Sequence, residues 1–116
     1  MPLKVLIVED NPTARITLEK ILSLRGFHVQ SAGTLQRGME LFDGQAAVIL
    51  DLDLPDGCGV ELLKKIRTEN RATKVLVVSA CEDPIVLREV RLLRPDGLFC
   101  KPLDVLKVLE QLRCPS

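Results

Sequence analysis

Val5-Leu6-Ile7-Val8-Glu9-Asp10 is an apolar run that ends on two carboxylates. The arrangement recurs along the chain. Val48-Ile49-Leu50 runs into Asp51, Val75-Leu76-Val77-Val78 runs into Ser79, and the weaker Leu98-Phe99-Cys100 runs into Lys101-Pro102. Short unbroken apolar runs mark buried strands when helices cover both faces of a parallel sheet. Parallel strands point one way, so their C-terminal ends share an edge, and in open α/β sheets that edge carries ligands. The sequence thus predicts that Glu9, Asp10, Asp51, Ser79 and Lys101 converge in one crevice.

Helix signals fill the intervals between these runs. Pro12-Thr13 opens a helix with Ala14, Leu18, Ile21 and Leu22 at helical spacing, closed by Gly26. Phe27 to Ser31 reads as a second strand. Thr34 caps a short helix through Phe42, with Leu35 and Met39 facing inward. A Pro55-Asp56-Gly57 turn follows strand three, and Val60, Leu63 and Ile66 mark the next helix. Asp83-Pro84 opens a helix to about Leu93, and Pro95-Asp96-Gly97 turns the chain into strand five. Leu103 to Leu112 forms a last amphipathic helix with Leu106, Leu109 and Leu112 on one side. The expectation is one domain, residues 1–116, of the α/β class, with a doubly wound (βα)₅ parallel sheet and right-handed crossovers.

Composition narrows the function. An apolar content of 47% suffices for one core, and sixteen basic residues balance sixteen acidic ones. No basic run marks a nucleic-acid surface. With no Trp or Tyr and three Phe, an aromatic platform for single strands is not expected either. No apolar stretch is long enough to span a bilayer. Met1-Pro2-Leu3-Lys4 leads directly into the first strand and leaves no room for a signal peptide, which points to the cytoplasm. Cys58, Cys81, Cys100 and Cys114 form no Cys-x-x-Cys pair and read as reduced structural thiols.

Carboxylates brought this close raise one another's pKa unless a cation intervenes. An all-oxygen acidic site without His or Cys suits a hard cation, Mg²⁺ (or Mn²⁺), which keeps water and a phosphoryl oxygen among its ligands. A carboxylate beside such an ion can attack phosphorus and become an aspartyl-phosphate. Lys101 would neutralise charge on the arriving group, and Ser79 could hydrogen-bond one of its oxygens.

The pattern resembles the receiver domain of two-component response regulators. The matching pieces are Val8-Glu9-Asp10-Asn11, Leu50-Asp51-Leu52-Asp53-Leu54-Pro55-Asp56-Gly57, Val78-Ser79-Ala80 and Lys101-Pro102, in this order across essentially the whole chain. The resemblance implies a flavodoxin-like three-layer sandwich with sheet order 2-1-3-4-5. It implies that Asp51 accepts phosphate from a phosphohistidine on a sensor histidine kinase or histidine phosphotransfer protein. Asp10 would bind the metal directly, Glu9 largely through water, and Asp53 through its backbone carbonyl. Lys101-Pro102 would carry a peptide bond that is often cis in this family. The resemblance leaves room for an output domain or effector protein, and for a homodimer through helix four, strand five and helix five.

Two positions depart from the family. Leu98 stands three before the lysine, where an aromatic residue is usual, and Phe99 lies one residue later, on the opposite strand face. Asp53 and Cys81 occupy the positions that help set how long the phosphoryl group survives. A rival reading is a haloacid-dehalogenase-like phosphatase using Asp51 and Asp53 with Ser79 and Lys101. It leaves Glu9-Asp10 unexplained, and only Asp104 and Glu110 follow the lysine, where a cap and a solvent-facing residue are expected. A further reading is a receiver-like interaction module that is never phosphorylated, against which the complete acidic set argues. His28 reads as a structural histidine, and Arg67 to Lys74 as a solvated helix end and loop. Ile85, Val86, Val90, Leu92 and Leu93 exceed one buried stripe, so helix four and strand five are candidates for a partner surface.

Overall fold

A computed structural model describes residues 3–69, 72–80 and 82–113. In chain order the elements are β1 (Lys4–Val8), α1 (Pro12–Leu24), β2 (His28–Ala32), α2 (Leu35–Leu41), β3 (Ala47–Asp51), β4 (Asp53–Leu54), β5 (Gly57–Cys58), α3 (Val60–Glu69), β6 (Lys74–Ser79), α4 (Pro84–Leu92), β7 (Gly97–Cys100) and α5 (Val105–Arg113). The five long strands pair in parallel in the order β2-β1-β3-β6-β7, and β4 and β5 form a small antiparallel hairpin. Counted without the hairpin, this is the expected 2-1-3-4-5 order. The hairpin falls on the expected Pro55-Asp56-Gly57 turn.

Strand periodicity divides the core into two layers. Leu6, Val8, Val48, Leu50, Val75 and Val77 pack with Leu62, Leu63 and Ile66 of α3 and Val90 of α4. Val5, Ile7, Ala47, Ile49, Leu76 and Val78 pack on the other face with Leu18 and Leu22 of α1 and Val108, Leu109 and Leu112 of α5. Each Val, Leu or Ile among them contributes roughly 1.5–3 kcal/mol by leaving water. Because both faces are covered, the central strands must be apolar throughout, which is why β1, β3 and β6 read as unbroken runs.

The helices start where side chains can hold their first N–H groups. Asn11 accepts from the Ala14 N–H, Thr34 from Arg37, Asp83 from Ile85 and Asp104 from Leu106, at 2.9–3.1 Å. Gly26 ends α1 with φ +93°, a conformation that L side chains rarely adopt.

Several expectations need correction. Leu106 is 67% exposed, and Val108 joins Leu109 and Leu112 in the core instead. Two successive three-residue steps drift about 120° round a helix of 3.6 residues per turn, so 106, 109 and 112 cannot share one buried stripe. The second strand starts at His28, with Phe27 packed in the core beside α1. Cys58 is half-buried, but Cys100 is exposed and so is no core thiol. Arg71, Cys81 and Cys114 lie outside the described residues.

Arg67 is the largest correction. Its guanidinium is clasped, not solvated. It donates to the carbonyls of Leu93 (3.2 Å), Thr73 (3.0 Å) and Arg94 (3.0 Å), and to Asp96 Oδ2 (3.0 Å). Asp96 Oδ2 also accepts the Val75 N–H at 2.8 Å. The planar fork of Arg thereby joins the end of α3, the start of β6 and the α4–β7 turn, where Arg94 takes φ +52°. Lys74, at the start of β6, likewise donates to the Gln111 carbonyl of α5 at 2.6 Å. Arg67→Met should therefore lower stability in urea melts by about 2–3 kcal/mol, since three carbonyls and a carboxylate lose a donor. Arg37→Ala, which removes an exposed 3.4 Å pair with Glu40, should change it by no more than about 0.5 kcal/mol. Equal effects would contradict the clasp.

Candidate functional site

The same periodicity that builds the core aims the site. Glu9, Asp51 and Lys101 continue the alternation of Val5 and Ile7, of Ala47 and Ile49, and of Phe99, all on the α1/α5 face. Their side chains meet there. Lys101 Nζ donates to Glu9 Oε1 and to Asp51 Oδ2, both at 3.0 Å. Asp51 is 3% exposed and Glu9 9%. Asp10 is exposed, yet one oxygen from each of Glu9, Asp10 and Asp51 lies within 4.8 Å of the others.

The charges do not cancel. Among the described residues, one ammonium faces three carboxylates, and Glu9 Oε2 is buried without a hydrogen-bond partner. Burial first, and then the Asp51 carboxylate beside it, push the Glu9 carboxyl up to about 7, against the opposing pull of Lys101. Burial works to lower the Lys101 pKa, but the hydrogen bonds and charges of Asp51 and Glu9 outweigh it and hold the ammonium above its ordinary value. A cavity of about 320 Å³ opens beside these groups, with Ile7, Ile49 and Val78 among its apolar walls.

The other expected residues fall around this centre. Ser79 ends β6 and is 3% exposed, and its carbonyl accepts the Lys101 N–H at 3.1 Å. The Lys101-Pro102 bond is cis. The Asp53 side chain is exposed and stays outside the carboxylate cluster, while its main-chain N–H donates to Asp51 Oδ1 at 3.1 Å. Leu98 packs on the α3/α4 face and Phe99 on the α1/α5 face, opposed as their adjacent positions require. His28 is exposed on β2, next to Lys4 in register and away from the strand ends that carry the site.

Three residues escaped the sequence reading. Arg15 Nη1 donates to the Glu9 carbonyl at 3.0 Å and to that of Asp10 at 3.5 Å, steadying the acidic pair. Its place one turn into α1, after Glu9-Asp10, was the available signal. Gly59 is required by close approach: a Cβ there would lie 2.2 Å from the Asp51 carbonyl oxygen. The Gly57-Cys58-Gly59 sequence marks the spot, but the turn accounts only for Gly57. Asp56, read merely as a turn residue, accepts the N–H groups of Leu35 and Gln36 at 2.7 and 2.9 Å.

The raised Glu9 pKa has a definite sign. The folded state favours neutral Glu9, so this contribution to stability is whole below about pH 4.5, falls as pH rises, and is lost above about 7. In chelator at pH 8, Glu9→Gln should thus be more stable than the parent by about 1–2 kcal/mol, after allowance for solvent screening. The gap should shrink as pH falls toward 4.5. Denaturant melts across that range check it; a gap of opposite sign, or one independent of pH, would contradict the stated cause.

Residues 5–113 match the response regulator receiver domain. The chain is 30% identical to the probable chemotaxis protein CheY of Rhizobium etli, over 91% of this chain and 86% of that protein. It is 31% identical to a cyclic di-GMP phosphodiesterase of Thermotoga maritima over 94% of this chain, and there it spans only 31% of the relative's length. A CheY-like receiver domain protein from Methanospirillum hungatei shares the fold with a TM-score of 0.91 at 23% identity, over 97% of this chain and 92% of that one. Fold, strand-end carboxylates and sequence likeness agree that the chain belongs to the receiver domains of response regulators, the phosphoacceptor modules of two-component signalling.

Proposed function

We propose that Asp51 is the phosphoacceptor and that it takes its phosphoryl group from a phosphohistidine on a sensor histidine kinase or histidine phosphotransfer protein. The observation that carries this reading is the hydrogen-bonded Glu9–Lys101–Asp51 centre, with Asp10 beside it, at the C-terminal edge of the sheet. A carboxylate oxygen of Asp51 attacks phosphorus, a P–O bond forms, the P–N bond breaks, and the imidazole leaves. Lys101, already bonded to Asp51, draws one phosphoryl oxygen, and the Ser79 hydroxyl draws another.

The donor set fits a hard divalent cation. It is all oxygen, carries more negative than positive charge, and includes the buried, unpartnered Glu9 Oε2. Glu9, Asp10 and Asp51, with the main-chain carbonyl of Asp53, would hold Mg²⁺ or Mn²⁺. When bound, the ion supplies charge neutralisation to the phosphoryl oxygens.

The chemistry of this chain is then confined to gaining and losing its own phosphoryl group. Asp104 supports that choice over the phosphatase reading: it caps α5 through the Leu106 N–H at 3.1 Å, and Glu110 is exposed on the same helix. The complete acidic centre supports it over a module that is never phosphorylated. The phosphodiesterase activity named for the Thermotoga maritima protein is that relative's own. Phosphorylation acts by shifting an equilibrium between two forms of the domain. The shift would be read on α4, β7 and α5, where Ile85 (77%), Leu92 (71%) and Leu106 (67%) are exposed, by an output domain, an effector protein or a second copy. No helix among the described residues is long and apolar enough to cross a membrane, and a cytoplasmic setting suits a partner kinase of this kind.

Intact-mass measurement after incubation with acetyl phosphate and Mg²⁺ tests the assignment. The parent should gain one acid-stable, base-labile phosphoryl group. Asp51→Asn, or the parent in excess chelator, should gain none. Undiminished labelling of the variant would refute the assignment, and continuous turnover of phosphate esters would favour the phosphatase.

A further inference from the structure

The loop between β3 and α3 is tethered at its far end to a helix that takes no part in the site. Its near end carries the Asp53 N–H, which donates to Asp51 Oδ1 at 3.1 Å. Its far end carries Asp56, whose two carboxylate oxygens accept the first N–H groups of α2, from Leu35 at 2.7 Å and from Gln36 at 2.9 Å. Hydrogen bonds to an ionised acceptor are short and strong. The Gln36 N–H first, and then that of Leu35, hold the Asp56 carboxyl below its usual range.

These bonds do more than cap a helix. α2 has its own cap, since Thr34 accepts from the Arg37 N–H at 3.1 Å. Among the described residues, the loop's other hydrogen bonds run within itself, back to its start or into α3: Asp53 pairs with Cys58, Leu54 with Gly57, the Gly59 N–H donates to the Leu52 carbonyl at 2.8 Å, and the Gly59 carbonyl accepts from Leu62 at 3.0 Å and Leu63 at 3.2 Å. Leu35 packs over Gly57, where a Cβ would come within 2.9 Å of its Cδ2. α2 is itself fixed to the core: at Gly38, a Cβ would meet Leu62 at 3.0 Å and Val8 at 3.2 Å. Leu52, Leu54 and Cys58 seat the loop on the core, and Asp56 adds the hydrogen bonds that tie its outer turn to α2.

We propose that Asp56 is a positioning residue of the phosphoacceptor site, holding the Asp53 main chain against the Asp51 carboxylate in the arrangement that receives the divalent cation. The inference rests on the reading of Asp51 as a cation-assisted phosphoacceptor. Without the tether, the Asp53 peptide must be ordered when the ion arrives, and that entropy is charged against binding. The effect reaches the ion through the Asp53 backbone, as supports behind a metal ligand do.

Titration calorimetry with Mg²⁺ and the rate of labelling by acetyl phosphate, across the parent, Asp56→Ala, Asp56→Asn and Thr34→Ala, test it. Asp56→Ala should weaken Mg²⁺ binding on the order of tenfold. It should slow labelling at low Mg²⁺ and restore it at high Mg²⁺. Asp56→Asn keeps the shape and one acceptor oxygen, so it should fall between the two; it carries the test if Asp56→Ala does not fold. Thr34→Ala removes the cap of α2 without touching the loop, and should lower the melting temperature while leaving Mg²⁺ affinity at the parent's value. Parent-like affinity in the Asp56 variants, or an equal loss in Thr34→Ala, would overturn the proposal. A parent that neither binds Mg²⁺ nor takes up a phosphoryl group would instead overturn the functional reading beneath it.

Discussion

One ammonium stands between two buried carboxylates, Lys101 Nζ at 3.0 Å from Glu9 and at 3.0 Å from Asp51. The three groups come from three strand ends, 92 and 50 residues apart in sequence, so only the folded sheet can assemble them. Removing two carboxylates from water is costly unless partners replace the lost hydration. Lys101 replaces part of it. The rest stays unbalanced: Asp10 adds a further negative charge at the rim, and Glu9 Oε2 has no partner among the described residues. Burial first, and then the neighbouring Asp51, raises the Glu9 pKa, so the centre resists carrying its full negative charge. On the proposed function, a site left short of positive charge in this way would take a cation and the phosphoryl group that a cation accompanies.

The rest of the fold serves that centre by fixing directions. Parallel pairing sends all the strand ends to one edge, and the alternation along each strand turns Glu9, Asp51 and Lys101 to the same face. Gly59 lets the chain pass close to the Asp51 carbonyl, and Arg15 holds the carbonyls of the acidic pair. At the opposite edge of the sheet, Arg67 closes the junction of α3, β6 and the α4–β7 turn. Strand ends dominated by apolar packing provide a rigid base, and the polar groups that act stand at its margin.

Much of this was legible in the sequence because its strongest signals are local. Four apolar runs ending on Asp10, Asp51, Ser79 and Lys101 announced both the parallel sheet and the edge that carries the site. Pro12 marked a helix start by its fixed backbone angle, and Thr34 and Asp83 did so through bonds made within three residues. What escaped is what depends on distant partners. Arg67 has the composition of a solvated helix end, and only the return of the chain at Leu93 to Asp96 gives it acceptors. Asp56 looks like any turn aspartate until α2 is placed beside it. The rotation of α5 that exposes Leu106 is set by the sheet beneath it, since a run this rich in Leu and Val offers more than one apolar stripe.

On the proposed function, the site's excess negative charge is a cation site coupled to the fold. Thermal melts of the parent and of Asp10→Asn, with and without millimolar Mg²⁺, test it most directly. An ion that binds only the folded state stabilises it by mass action, by about 2.7 kcal/mol at a hundred times its dissociation constant. The melting temperature should rise by several degrees in the parent and little or not at all in Asp10→Asn. Equal rises in the two proteins, or no rise in the parent, would contradict it.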